Sequence, residues 1–79
     1  MTTNHLDQRL QAVFAKVFSV KEITDEVSID SVPQWDSLGH IGLVLALEAE
    51  FHISIAPAQA IEMISVRAIR EILTELGVQ

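Results

Sequence analysis

One predicted helix, running from about Ser37 to Phe51, dominates the pattern of this chain. Its apolar residues recur at helical spacing, and Asp36 and Ser37 stand at its start, where small polar residues are favoured. The helix is apolar on two sides. One stripe suffices for a core in so small a protein, so we expect the second to be kept for a partner. The first stripe contains Leu43, Val44, Leu47 and Phe51, and the second contains Leu38, Ile41 and Leu45.

The composition supports one small core. The chain has 79 residues, of which 49% are hydrophobic and 20% charged, so we predict a single domain spanning residues 1–79. No run approaches the roughly 18 apolar residues of a membrane span, and Met1 to Asp7 is polar, so we expect no anchor and no signal peptide. A net charge of -6 disfavours nucleic acid as a partner. The absence of cysteine excludes disulfides and thiolate metal sites, and we expect a cytoplasmic protein.

A first helix and a long loop precede this segment. The helix is predicted from about Asn4 to Phe18, with Asn4 as its N-cap and Asp7 as a short version of the capping box. Residues 19–36 lose the helical period but contain scattered apolar residues, which indicate a loop pinned across the bundle. Trp35 is interpreted as its main anchor, with a contact to a bound group or partner as the alternative. The core stripe of the first helix contains Leu6, Leu10, Val13, Phe14, Val17 and Phe18.

Two helices are predicted after residue 51. A short third helix begins near Pro57, where proline suits the first helical position, and ends near Met63. The last helix begins after Ser65 as N-cap, and Gly77 suits a left-handed C-terminal cap. The fold class is therefore all-α, a small four-helix bundle with three longer helices, a short third helix and a long loop between the first two. The last helix is expected to bury Val66, Ile69, Leu73 and Leu76, with Ile72 at the margin.

This order of elements resembles the acyl carrier and peptidyl carrier proteins over nearly the whole chain. The tract Trp35-Asp36-Ser37-Leu38-Gly39-His40-Ile41 looks like the signature of that family at the start of its second helix. Ile53-Ser54-Ile55, which leads into the short helix, also matches. The resemblance implies that a phosphopantetheinyl transferase attaches 4′-phosphopantetheine to Ser37, with Asp36 read by the transferase and Leu38 beside the attachment point. The cofactor would bring the thiol that the chain itself lacks.

The resemblance also implies a protein that is not an enzyme but shuttles covalently bound acyl groups between enzymes. Its partners would be the transferase, an acyl-loading ligase or acyltransferase, and downstream biosynthetic enzymes; we expect a monomer. Only Glu62 is acidic in the third helix, and Gly39 and Gly42 occupy exposed-looking positions. This surface is less acidic than that of fatty acid synthesis carriers, which favours polyketide, nonribosomal peptide or related specialised pathways. The partner face would contain Leu38, Ile41, Leu45, Glu48 and Glu62.

Three other functions remain open for the chain: an amino-acid carrier loaded by an adenylating ligase, a fatty acid synthesis carrier, and an unmodified helical interaction module. At the helix start, Ser37 could be only a cap, or Asp36 could be the cap. An Asp36–Ser37–His40 catalytic group is disfavoured, because neighbours on one helical turn cannot align as base and orienter. We interpret His40 as a solvated residue beside the cofactor, close to its phosphate.

The remaining candidate residues have plain structural interpretations. Met63 is expected in the core, with the lining of an acyl groove between the second and third helices as the alternative. Arg67 and Arg70 are interpreted as a solvated face of the last helix. The three histidines, His5, His40 and His52, are too scattered to suggest a metal site.

Overall fold

The chain forms a bundle of helices. A computed structural model describes residues 5–78, so the proposed N-cap Asn4 lies outside the described residues. No strand occurs between residues 5 and 78, where the β-type pairing is an isolated bridge between Ser28 and Ser65. The prediction of a small all-α bundle with a short third helix is confirmed. The helices are α1, His5–Phe18; α2, Ser37–Phe51; α3, Pro57–Glu62; and α4, Val66–Glu75.

The core is built from the predicted stripes of α1, α2 and α4. In α1 every stripe residue is buried except Val17, which is partly buried. In α2 the first stripe faces inward, with Val44 only partly buried against it. None of the side chains of α3 is buried, so this helix adds little apolar burial and depends on the residues that flank it. The flanking core residues are Ile55 before α3 and Met63 after it.

The end of α4 differs from the prediction in one detail. Ile72, expected at the margin, is buried, whereas Leu76 is only partly buried. Leu76 is the C-cap residue, so the helical conformation that carries the stripe ends there. Gly77 makes the turn at this end with a φ of 89°, and the Val78 N–H donates to the Leu73 carbonyl at 2.9 Å. This is the left-handed cap that the glycine predicted.

Trp35 anchors the long loop, as predicted. Its side chain is 1% exposed, and its ring packs edge-on against Phe14 and stacks on Phe18. The loop is also fixed to the link between α3 and α4, which the sequence did not predict. There the Ile29 N–H donates to the Ile64 carbonyl at 3.0 Å. The loop therefore has a defined path from α1 to the start of α2.

The interpretation of Arg67 and Arg70 as a solvated face was wrong for Arg70. Its Nη1 lies 2.5 Å from Oδ1 of Asp25, and its Nε lies 3.0 Å from Oδ1 of Asp7. Arg70 therefore joins α4 to the loop and to α1. Arg67 is largely exposed and lies 3.8 Å from Asp25. All these groups are partly solvated, so each pair contributes at most about 1 kcal/mol to the free energy of unfolding.

Candidate functional site

The start of α2 is capped by Asp36. Its backbone is extended, with φ −96° and ψ −167°, and its Oδ1 accepts a hydrogen bond from the Gly39 N–H at 2.8 Å. The Asp36 carbonyl accepts the His40 N–H at 2.7 Å. Asp36 is therefore the N-cap and Ser37 the first helical residue, which decides between the two alternatives left by the sequence.

Ser37 is exposed, and its hydroxyl makes no hydrogen bond to any residue between 5 and 78. Ser65 shows what a capping serine does in this protein, because its Oγ accepts the Ala68 N–H at 3.1 Å. The interpretation of Ser37 as only a cap is therefore wrong. Its position also places the hydroxyl beside the N–H groups of Ser37 and Leu38, which lack intrahelical acceptors and favour an anion.

The second stripe of α2 lies in solvent. Leu38, Ile41 and Leu45 are 78%, 57% and 60% exposed, and we call them the α2 patch. The buried residues of the helix point to the opposite side. A contiguous apolar surface of this kind on a small protein indicates contact with another molecule.

A pocket of about 280 Å³ opens beside Ser37. Its apolar walls come from three separate segments: Ile29 in the loop, Ile61 in α3 and Ile64 in the link to α4. All three isoleucines are partly or largely exposed. We call this the Ser37 pocket. Sequence reasoning missed it, because its residues come from segments that are far apart in the chain. The pocket is completed by Asp36, Ser37 and His40.

His40 bridges the loop and α3, and is not the solvated residue that we expected. Its Nδ1 accepts the indole N–H of Trp35 at 2.9 Å, and its Nε2 lies 2.7 Å from the Ala60 carbonyl. An indole nitrogen only donates and a carbonyl only accepts, so these contacts require the neutral ring with its proton on Nε2. Neither ring nitrogen remains for Ser37, which rules out the Asp36–Ser37–His40 catalytic arrangement.

The two acidic residues of the predicted partner face have different surroundings. Glu48 is half-buried, and one of its carboxylate oxygens accepts the Ile55 N–H at 2.8 Å, so it shapes the link that leads to α3. Glu62 is exposed at the end of α3, next to Ile61 of the Ser37 pocket. Their proposed contacts with partners stay predictions.

The two glycines of α2 are not equivalent, although both looked exposed in the sequence. At Gly39 an added Cβ would lie 2.1 Å from the Gln34 carbonyl oxygen, so the expectation of an exposed position was wrong there. Gly42 is exposed and has no atom within 4 Å of an added Cβ. The start of α2 is thus packed directly against the backbone of the loop.

Within residues 5–78 no helix combines the length and hydropathy needed to cross a bilayer. The same residues contain no group of three or more His, Asp or Glu side chains placed to hold a metal ion. No protein-family model and no curated protein matches the chain.

Proposed function

We propose that this chain is a freestanding acyl carrier protein and that Ser37 is the attachment point of 4′-phosphopantetheine. The observation that carries the proposal is an exposed serine hydroxyl, free of hydrogen bonds within the described chain, at the first position of α2. Because Asp36 supplies the cap, esterification of Ser37 removes no contact that the helix needs. An incoming enzyme can reach the hydroxyl without unfolding the helix.

The residues at the start of α2 suit a phosphodiester. In the attachment step Ser37 Oγ forms a bond to the β-phosphorus of coenzyme A and loses its proton to the transferase. The pyrophosphate P–O bond breaks, and adenosine 3′,5′-bisphosphate leaves. The product anion would lie at the positive end of α2, where the helix dipole stabilises it by about 0.3–1 kcal/mol at an exposed site. Asp36 would be read by the transferase, because its carboxylate adjoins the reacting serine and is exposed.

The bound group would supply a terminal thiol that holds an acyl chain as a thioester. The chain contains no cysteine, so no protein thiol would compete for the acyl group. The contribution of the protein is to fix one end of the arm on a rigid helix and to present it to successive enzymes at high effective concentration. We place this activity in a polyketide, nonribosomal peptide or related specialised pathway in the cytoplasm, with the protein acting as a monomer.

The partner enzymes would dock on the α2 patch. Its three side chains lie on one side of the helix that begins with Ser37, so a partner bound there would reach the attached arm. Glu62 adds an exposed negative charge on α3, and the half-buried Glu48 adds a partly accessible one along α2. The partners would be the transferase, an acyl-loading ligase or acyltransferase, and the downstream enzymes.

Intact-protein mass spectrometry tests the proposed attachment. After co-expression with a broad-specificity phosphopantetheinyl transferase, we expect the purified protein to gain the mass of one phosphopantetheine group. Proteolysis should place the added mass on the peptide that contains Ser37. A protein that stays unmodified at high transferase concentration would contradict the proposal.

Docking of the transferase on the α2 patch is tested separately. Ile41→Asp should lower kcat/KM of the transferase about tenfold, because central apolar contacts of an interface each contribute about 1–2 kcal/mol. Ala49→Asp is the matched control: it is an exposed change on the same helix, about 18 Å from Ser37 at 1.5 Å per residue. Steady-state kinetics with coenzyme A compare the two variants. Equal rates for both would mean that the patch does not bind this enzyme.

An unmodified interaction module is the second candidate, because the exposed α2 patch alone would suit it. Such a protein would bind a partner helix without covalent cargo. Under this alternative, a partner captured by the wild-type protein should bind Ser37→Ala equally well. Under the carrier proposal, a downstream biosynthetic enzyme should bind the modified wild-type protein more tightly than it binds Ser37→Ala. Binding to purified unmodified and modified protein separates the two functions.

A further inference from the structure

We propose that His40 closes the seam between α2 and α3, so that cargo attached through Ser37 stays on the protein surface and does not enter the core. The inference rests on the proposed carrier function and assigns a specificity role to a residue that does not touch the reacting atoms. Its basis is the position of the imidazole, which lies between the Ser37 pocket and the interior.

The ring of His40 spans the seam. It lies nearly parallel to the Trp35 indole, with an interplanar angle of 15° and ring centroids 6.3 Å apart, and is joined to it edge to edge by the hydrogen bond between the two rings. It also lines the Ser37 pocket. Its contact with the Ala60 carbonyl is the hydrogen bond between α2 and α3 in the described part of the chain. One side chain thus joins the buried loop anchor, α2 and α3.

The core residues of α2 and of the link after α3 are closed to solvent. Leu43, Leu47 and Met63 are each 0% exposed, so an alkyl chain that entered the core would have to displace packed side chains. Overfilling a packed core is unfavourable because neighbouring side chains must leave their preferred rotamers. The seam is also the place where entry would be easiest, since α3 buries none of its own side chains. His40 therefore holds the most weakly packed helix against the bundle.

The space in front of His40 is open and apolar. Ile29, Ile61 and Ile64 form the walls of the Ser37 pocket, which has a volume of about 280 Å³. With the arm folded back along the surface, an alkyl chain attached through Ser37 would contact these isoleucines without crossing the seam. We therefore assign the first part of a bound acyl chain to this pocket, outside the His40 ring.

Octanoyl and acetyl thioesters of the modified protein test this assignment. We compare methyl signals in ¹H–¹³C spectra of the two loaded forms. In the wild type, the longer chain should shift the methyl signals of Ile29, Ile61 and Ile64 and leave those of Leu47 and Met63 unchanged. In His40→Ala, the shifts should extend to Leu47 and Met63 because the seam is open.

Two further variants test whether the hydrogen bonds of His40 close the seam, or whether any change of a histidine disturbs the protein. His40→Gln retains a neutral donor and acceptor and should give the wild-type pattern. His52→Asn is the histidine control: His52 is exposed with a φ of 55°, a conformation that asparagine tolerates, and it should also give the wild-type pattern. If His40→Ala does not fold, the wild-type spectra still show whether the octanoyl chain enters the core, and core shifts in the wild type would overturn the proposal.

The outcomes distinguish this inference from the proposed function. A protein that never acquires phosphopantetheine contradicts the carrier proposal. If the protein is modified and loaded, but the Met63 methyl signal of the wild type shifts with the octanoyl chain, the carrier proposal stands. The proposal that His40 closes the seam is then wrong. Unchanged core signals in a folded His40→Ala would overturn it as well.

Discussion

Ser37→Ala is expected to abolish attachment of phosphopantetheine completely, because the variant lacks the only oxygen that the proposal assigns to the phosphodiester. The free energy of unfolding should stay within about 0.5 kcal/mol of the wild type, since the hydroxyl has no hydrogen bond to lose within the described chain and Asp36 retains the cap. Intact mass after transferase treatment and urea unfolding measure the two effects on the same sample.

Ser54→Ala is the matched control for this variant. Ser54 is also exposed, but it lies in the link between α2 and α3 and not at a helix start. This variant should be modified to the same extent and at the same rate as the wild type. Modification of Ser37→Ala, or loss of modification in Ser54→Ala, would contradict the assignment of the attachment point.

The helices could be predicted from the sequence because the core stripes repeat at the helical period. The two sides of α2 were separable for the same reason: Leu43 and Leu47 share one side, and Leu45 lies on the other. The error in the buried stripe occurred at the end of α4, where the helical period ends. Leu76 fits the stripe of α4, but it stands at the C-cap, where the helical conformation ends.

The candidate serine could be found in the sequence, whereas its surroundings could not. Ser37 and Asp36 are adjacent and lie just before an apolar helix, so a local pattern suffices. The Ser37 pocket combines residues from three distant segments, Ile29 among them. The partners of His40 and Arg70 are likewise set by packing: the Ala60 carbonyl and the Asp7 carboxylate come close only in the folded chain.

The cap formed by Asp36 and the position of His40 in the seam have the same physical origin. Asp36 occupies the capping position, which frees the Ser37 hydroxyl and fixes the first turn of α2. That turn places His40 against Trp35 and Ala60. The reactive group of the proposed site and the residue that closes the seam are therefore positioned by the same few backbone contacts, including the close approach at Gly39.

Gly39→Ala and Gly42→Ala are expected to change the free energy of unfolding in opposite directions. At Gly39 the new methyl group would lie 2.1 Å from the Gln34 carbonyl oxygen and 3.1 Å from Phe18 Cε1. Because a backbone oxygen cannot rotate away, the loop must shift, and we expect a loss of about 3 kcal/mol. At Gly42 the space is open, and alanine should raise stability by about 0.5–1 kcal/mol through its higher helix propensity.

Urea unfolding of the two variants and the wild type measures this contrast, with the midpoint reporting stability at an unchanged slope. A protein of this length has a total stability of about 4–12 kcal/mol, so the Gly39 variant should remain folded but with a much lower midpoint. Its attachment rate at Ser37 should also fall, because the displaced loop carries Asp36 with it, whereas Gly42→Ala should be modified normally. Equal stabilities of the two variants would show that the loop does not pack against the helix at Gly39, and the origin assigned here to the position of Ser37 and His40 would be wrong.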